Sequence, residues 1–309
     1  MIKGAINANQ LVIMSDLTTY KLLDAVARYG SVRKAATQAS ITPSALNRRI
    51  LAIEEEFGTP LFERTPSGLR PNTAGELVLM HIRQQFADLD KVKSQIADLS
   101  GVRLGTIRLA GSPAVLPHYF PTKIRSYLDK FPGVDFRVYE TFKDEAEAML
   151  KQYEADVAVV LEPQSSPDIM LLGNLNQVVN IIIDEAHPLA KKTSVSLADC
   201  ATYPLAIPGE NTILHDVLQR ISLATQVDLV SSIRSSNLFF IVECVHGSQM
   251  ISFRLLTPDT DPALPNGLVA RPIAHPQART VLKLIQLKGR TLSVAASRFV
   301  EHIAPDFDA

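Results

Sequence analysis

Thr42, Ser44, Asn47 and Arg48 place four hydrogen-bonding side chains within seven positions. An asparagine amide can bond adenine through two atoms, and an arginine guanidinium can reach guanine or a phosphate. The two hydroxyls suit phosphates or base edges. The surrounding window holds Arg28, Arg33, Lys34, Arg48 and Arg49, with no acidic residue between Asp24 and Glu54. Charge alone would equally describe a solvated helix face. The apolar spacing around it decides otherwise.

Stepping from those side chains to their supports, Leu17 to Tyr29 reads as a helix with Leu22, Leu23, Val26 and Ala27 on one face and Gly30 as its stop. Ser31 stands as N-cap to a second short helix, Val32 to Gln38, whose small Ala35 and Ala36 allow another helix to come close. Ile41 anchors a turn. Thr42-Pro43 then offers an N-cap followed by proline at the first helical position, where its missing N–H costs nothing. Leu46, Ile50, Ile53 and Phe57 form the expected buried stripe of the third helix. This is a helix-turn-helix plan. Leu61 to Arg64 and the Pro/Gly-containing stretch to Pro71 add two strands and a loop, a wing flanked by Arg64 and Arg70. The candidate DNA-contacting set is therefore Ser31, Arg33, Thr42, Pro43, Ser44, Asn47, Arg48, Arg49, Arg64 and Arg70.

The stretch from Gly30 to Glu76 resembles the N-terminal module of LysR-type transcriptional regulators. The residues that carry the resemblance are Gly30-Ser31, Ala35-Ala36, Ile41-Thr42, Ala45, Arg48, Ile50, Glu54-Glu55, Gly58, Leu61-Phe62-Glu63-Arg64 and Thr73-Ala74-Gly75. The family commonly has Gln-Pro after the N-cap and Ser before the arginine, where this chain has Pro43-Ser44 and Asn47. Those positions face DNA, so a different target sequence is expected. The resemblance implies a sequence-specific regulator, activator or repressor, that binds a promoter operator through two half-sites. It implies a homodimer or homotetramer, with RNA polymerase as a further candidate partner.

Between Thr73 and Ser100 there is no proline, and the one glycine, Gly75, falls in the first turn. Leu79, Ile82, Phe86, Leu89 and Ile96 sit at a/d spacing, with Lys93 breaking the seam. Packing on its own domain would explain such a run; the resemblance favours a dimerising linker helix. Two recognition helices would also read two half-sites about one helical turn apart.

Past Gly105 strands and helices alternate. Thr106 to Ala110, Asp135 to Tyr139 and Ala155 to Leu161 read as strands, separated by helices Phe120 to Phe131 and Lys143 to Tyr153. That βαβαβ order predicts a parallel sheet covered by helices. A second set follows: Val178 to Ile183, Pro204 to Ile207, a helix from about Thr212, the neighbours of Ile233, Leu238 to Val245, and Met250 to Phe253. The whole resembles the two-subdomain effector-binding part of the same regulators, of periplasmic-binding-protein type, and His187-Pro188-Leu189-Ala190 is a small motif shared with them. The expected fold is thus α/β overall: a winged helix-turn-helix (15–75), a long linker helix (76–100) and a two-lobed effector domain (105–309). Lobe I would take about 105–170 with 275–309, and lobe II about 171–274.

Ligands of such folds sit at the C-terminal ends of strands, where loops and helix N-termini offer free N–H groups. Ser112 and Thr141 match positions that contact effector in the family, with Pro113 beside the first. From loop position, lobe II contributes Pro208, Asn211, Thr212, Ser235 and Ser236. Each of these polar residues also suits a plain helix cap. His246 joins the set because His246-Gly247 stands where the family usually has a Gly-x-Gly turn. The effector is an unknown small molecule, and no cofactor is expected.

Other functions find no support. No Gly-x-Ser-x-Gly, P-loop, dinucleotide fingerprint or His-Glu-x-x-His occurs, and the seven histidines include no ligand pair three to five residues apart. An enzyme and a metal site are therefore not expected. Cys200 and Cys244 match no zinc or Cys-x-x-Cys spacing and suit a reducing cytoplasm; a thiol redox sensor using both is one alternative. A ligand-independent architectural DNA binder is another. No signal-peptide core and no twenty-residue apolar run appear, so a cytoplasmic chain without a membrane partner is expected. Residues 1–14 read as an extension, with Met14 as an alternative start.

The overall charge of −1 conceals an asymmetry. Residues 1–75 hold nine Lys/Arg against six Asp/Glu, a net +3 that leaves −4 on the remaining 234. A mildly acidic body limits non-specific DNA contact while the small basic module supplies phosphate contacts.

Overall fold

The computed structural model describes residues 17–66, 68–99, 103–117, 119–163, 166–210, 212–258 and 264–308. The expected extension 1–14, its alternative start Met14, and Asn211 lie outside the described residues. The chain forms two compact units, Met1–Asp90 and Lys91–Ala309.

In the first unit, α1 (Leu17–Tyr29), α2 (Val32–Gln38) and α3 (Pro43–Phe57) follow one another closely. Gly30 ends α1 in a left-handed conformation (φ 59°), its N–H donating to the Val26 carbonyl. Ser31 and Thr42 cap α2 and α3 through their side chains. Leu22, Val26, Ala35, Ala36, Leu46 and Ile50 form the shared core. The alanines let the helices approach closely, as their size suggested. Phe57, expected in that stripe, is exposed instead, because it lies in the last turn beside the Gly58 cap.

The wing pairs β1 (Phe62–Thr65) antiparallel with β2 (Gly68–Pro71). Gly68 (φ 129°) is required: a Cβ there would lie 2.3 Å from the Gly30 carbonyl oxygen. That oxygen accepts from the Leu69 N–H at 2.8 Å, so the wing is docked on the turn between α1 and α2. Glu54 of α3 fixes the other end, its Oε1 accepting from the N–H groups of Leu61 (2.7 Å) and Phe62 (3.2 Å).

α4 (Thr73–Leu99) is one 27-residue helix, and it corrects part of the expected dimer seam. Leu79 and Ile82 are buried in a cluster with Leu23, Ile53 and Leu61, and Phe86 packs against it. Arg83, on the same side, donates from Nε to Asp24 Oδ1 of α1 at 2.7 Å in a buried pair. These residues belong to the core of their own unit. Heptad spacing specifies a buried stripe; it does not say which chain buries it.

The second unit is built on a nine-stranded sheet in the order β4-β3-β5-β11-β6-β9-β7-β8, with β10 also pairing β6. The strands are β3 (Gly105–Gly111), β4 (Val134–Glu140), β5 (Val157–Leu161), β6 (Ile169–Asp184), β7 (Leu205–Pro208), β8 (Ser231–Ser235), β9 (Ile251–Leu256), β10 (Leu268–Pro272) and β11 (Arg279–Leu287). At one end β4, β3 and β5 are parallel; at the other β8, β7 and β9 are parallel. Between them β11 runs antiparallel to β5 and β6, and β6 antiparallel to β9. The parallel sheet expected of the βαβαβ stretch is present as β4, β3 and β5, within a larger sheet that is mixed. The sequence suggests only 178–183 of β6, its apolar part. Residues 169–177 carry Gly173, Asn174, Asn176 and Gln177 and pair as a strand only with β11.

The helices are α5 (Tyr119–Leu128), α6 (Lys143–Lys151), α7 (Leu197–Cys200), α8 (Ile213–Thr225), α9 (Leu238–Glu243) and α10 (Val294–Ile303). Along β6 the side chains alternate between the faces. Val179, Ile181 and Ile183 join the main core with Leu214, Val217 and Ile221 of α8, while Ile182 faces Val242 of α9, Val245 and Leu268. At the other end, α10 returns to β3 and α5. Phe299 stacks edge-on to Tyr127 and Phe136, and the Tyr127 hydroxyl donates to the Ala295 carbonyl. The C-terminus is latched by Asp306, which accepts from Tyr119 and Lys123.

Candidate functional site

On α3 the core takes Leu46, Ile50 and Ile53, and the opposite face presents Pro43, Ser44, Asn47, Arg48 and Leu51 to solvent. The cap that starts this helix also uses some of the expected contact groups. Thr42 Oγ1 accepts from the Ala45 N–H at 3.2 Å and lies 3.1 Å from Ser44 Oγ. Ser31 Oγ accepts from Lys34 N–H at 3.4 Å. Thr42 and Ser31 thus position helix ends, whereas Asn47 and Arg48 are exposed side chains of the first two turns.

The basic residues divide in the same way. Arg33, Arg48, Arg64 and Arg70 are exposed and hold no ion pair among the described residues. Arg49 instead donates to Thr19 Oγ1 of α1 at 3.2 Å, and Arg28 is engaged by Asp24. Four guanidiniums spread over α2, α3 and the wing strands remain available to phosphates or bases. The sequence reading missed Glu54 as the tether of the wing. Its signal was an acid in a basic module, seven residues before Leu61.

In the second unit the expected cleft residues fall into two groups. Ser112 and Thr141 directly follow β3 and β4, tied across the strand ends by Thr141 N–H to Gly111 O and Ser112 N–H to Val159 O. Both are buried, and among the described residues Ser112 Oγ has no hydrogen-bond partner. Thr141 Oγ1 lies 3.4 Å from the adjacent Phe142 carbonyl. Pro113 lies in the turn that follows. At the far end of the sheet, Pro208 and Ser235 end the parallel strands β7 and β8 in register. Thr212 caps α8, accepting from His215 N–H and donating to Gly209 O, while Ser235 Oγ accepts from Asn237 N–H. Ser236 packs beside Gly209 and is exposed.

His246 does not belong with them. It precedes Gly247, whose N–H donates to Asp184 at the last residue of β6, so it stands at the N-terminal end of β9, away from the strand ends that carry the other residues. Its partner glycine serves the turn (φ 63°).

Two polar side-chain pairs that the sequence did not reveal lie on neighbouring strands. Glu162, which follows β5 with a left-handed φ of 41°, accepts from Thr280 Oγ1 at 2.6 Å. Thr280 of β11 is paired with Gln177 of β6, and Gln177 Nε2 donates to Thr257 Oγ1 after β9 at 2.8 Å. A non-glycine residue in this conformation at a strand end is strain that accompanies many binding sites.

The two thiols sit in different surroundings. Burial pushes the Cys200 thiol up to about 12, so it is not a ready thiolate. Cys200 belongs to the main core, whereas Cys244 is the half-buried C-cap of α9. Among the described residues no cluster of metal-binding side chains occurs, and no helix is long and apolar enough to cross a membrane.

The exposed side of α4 carries Leu89 (37% exposed), Val92 (48%), Ile96 (60%) and Leu99 (89%), spaced 3, 4 and 3. Leu77 and Met80 are exposed nearer its start. Leu89 and Ile96 of the expected seam are thus uncovered, and their stripe continues through Val92 rather than Lys93.

Comparison with known proteins agrees with this geometry. A curated relative, the uncharacterized HTH-type regulator YvbU of Bacillus subtilis, is 27% identical over 192 residues, 62% of this chain. The match takes in 65% of that relative, just under two thirds of its length. A full-length OxyR variant from Pseudomonas aeruginosa shares the fold with a TM-score of 0.68 at 19% identity, covering 94% of each chain. CbnR, solved in complex with its target DNA, superposes with a TM-score of 0.65 at 16% identity, over 94% of this chain and 99% of that one. Residues 17–76 match the model of the bacterial regulatory helix-turn-helix protein, lysR family, and residues 100–308 that of the LysR substrate binding domain. With nearly its whole length matched in this order, the chain belongs to the LysR family of transcriptional regulators.

Proposed function

We propose that this chain is a cytoplasmic regulator that reads two DNA half-sites as a dimer or tetramer and answers to a small molecule bound between its lobes. α3 enters the major groove, Asn47 and Arg48 contact base edges, and Arg33, Arg64 and Arg70 contact phosphates. The observation that carries this reading is the exposed, unpaired state of Arg48 beside Asn47 on a helix whose other face is core. That a structural relative is described with its target DNA supports it. Copies pair through the exposed Leu89, Val92, Ile96 and Leu99 stripe of α4.

The effector occupies the strand-end edges, contacting Ser112 and Thr141 on one lobe and the Pro208 and Ser235 row on the other. It can alter DNA binding only by favouring one arrangement of the assembly over another. The test is a gel shift at fixed salt with promoter DNA. Arg48→Ala is expected to lose about 1–3 kcal/mol of specific binding, and unchanged affinity would remove Arg48 from the interface. Thr141→Val is expected to abolish the response to effector while DNA binding persists; loss of both would make Thr141 structural.

A further inference from the structure

Five arginines of the second unit are half-buried: Arg103, Arg108, Arg254, Arg271 and Arg290. Four have acceptors. Arg103 bonds Asp98, Arg108 and Arg290 meet Asp156, and Arg271 donates to the Ala190 carbonyl. Arg254 has no hydrogen bond or ion pair among the described residues. Burial draws its pKa down to about 10, still well above neutrality, so it stands as a half-buried cation with no counter-charge among the described residues.

Its place in the sheet gives that cation a direction. Arg254 lies on β9 opposite Asn180 of β6. β9 runs parallel to β7 with Ala206 beside Ser252, and continuing this register by two residues puts Arg254 level with Pro208. Pro208 in turn pairs with Ser235 on β8. Residues in register share a face. Arg254, Pro208 and Ser235 therefore form one row across the C-terminal edge of three parallel strands, the edge assigned above to the effector. Thr257, three residues on, accepts from Gln177 Nε2 of β6.

A neighbouring hydroxyl is also unfilled. On the same face, two residues before Arg254, Ser252 Oγ is fully buried and has no partner among the described residues. Asn180, opposite Arg254, uses its amide nitrogen on the Val178 carbonyl. A guanidinium presents a planar donor fork that matches an oxyanion through two parallel hydrogen bonds, and hydroxyls serve as supplementary donors.

We propose that Arg254 is the anion-binding residue of the effector cleft, and that the effector carries a carboxylate or phosphate group seated on its guanidinium. The inference rests on the cleft reading above and narrows its ligand to an oxyanion. The anion would supply the counter-charge that the fold leaves out, and would bring Ser252, on the same face of β9, a partner at the same time.

Thermal unfolding of the full-length chain at constant ionic strength tests it. Acetate, succinate and inorganic phosphate serve as probes, and acetamide and succinamide as neutral controls. At least one oxyanion is expected to raise the unfolding midpoint saturably, while the amides do not. Whether succinate or phosphate acts at lower concentration separates the two sources. Arg254→Met is expected to weaken the effective anion roughly tenfold or more, and Arg254→Lys less, since lysine keeps the charge without the fork. Without ligand, Arg254→Met should melt no lower than the natural chain, because it removes a buried unpaired charge.

A lower midpoint for Arg254→Met in anion-free buffer would show that the guanidinium serves the fold, and would overturn the assignment. So would the absence of any oxyanion shift that depends on Arg254. A neutral amide that shifts both proteins equally would overturn the anion site yet leave the cleft reading standing. An Arg254-dependent shift with no accompanying change in DNA affinity would keep the anion site and remove its regulatory role.

Discussion

Unpaired arginines occur in both units, and their settings differ. In the winged unit Arg33, Arg48, Arg64 and Arg70 stand in solvent, where an isolated charge costs little. In the second unit Arg254 is half-buried opposite Asn180, where an isolated charge is expensive. The first arrangement suits a long polyanion that meets solvent-exposed side chains. The second suits a small anion enclosed by the fold. The contrast between Asp24–Arg83 and Arg254 teaches the same point inside the protein: Arg83 is given a carboxylate and Arg271 a carbonyl, while Arg254 is given neither among the described residues.

The largest expected effects probe that contrast on α4. Ile82→Asp places a carboxylate among Leu23, Ile53 and Leu61 and should unfold the winged unit, losing DNA binding and its share of the unfolding signal. Ile96→Asp, on the exposed stripe, should leave circular dichroism unchanged and shift sedimentation toward monomer. A folded Ile82→Asp monomer would reverse the two assignments.

Arg83→Met comes next. It leaves Asp24 buried without its closest partner, and chemical denaturation of the winged unit should show a loss of about 3–5 kcal/mol, moderated by Arg28. A loss below about 1 kcal/mol would mean that the pair behaves as a surface bridge. Arg64→Ala and Arg70→Ala, with no partner to strand, should change stability by less than about 0.5 kcal/mol. Each should also flatten the salt dependence of DNA binding by about one unit of slope. An unchanged slope would remove that residue from the phosphate contacts.

The smallest effect is a pH dependence. His187 Nδ1 accepts from the Leu189 N–H, which fixes the proton on Nε2 facing the Gln249 carbonyl. Burial lowers its pKa below the usual 6.5. Burial and the nearby Lys130 and Lys123 lower that of His302. In both, the unfolded chain takes up a proton more readily than the folded one. Stability is therefore full above pH 6.5 and falls as the solution is acidified toward the folded pKa values. Urea midpoints of the two-lobed unit should decline over that interval, and less so in His187→Asn. A midpoint independent of pH would contradict the buried neutral imidazole.

The winged unit was legible almost residue by residue. Its helices are short, closed by local caps such as Ser31 and Thr42, and its working side chains lie within one helix and one hairpin. Local hydrogen bonds and apolar spacing are written in adjacent residues. The edge residues Ser112, Thr141, Pro208 and Ser235 were also found, since they follow recognisable strands. His246 was misplaced because its turn serves the opposite end of a strand, and strand direction is a property of the sheet. The Glu162–Thr280 and Gln177–Thr257 bonds escaped notice for the same reason, their members being scattered from residue 162 to residue 280.

By itself the sequence determined the helix-turn-helix with its wing, the alternation that builds an α/β body, and the basic charge of the reading module. These follow from periodicity and capping, which act over a few residues. Tertiary structure decided which side of α4 is core and which is free, that β6 pairs with β11 along its first part and with β9 and β10 along its last, and that Arg254 has no counter-charge among the described residues. Burial and pairing depend on what arrives from distant parts of the chain, and no local pattern records that.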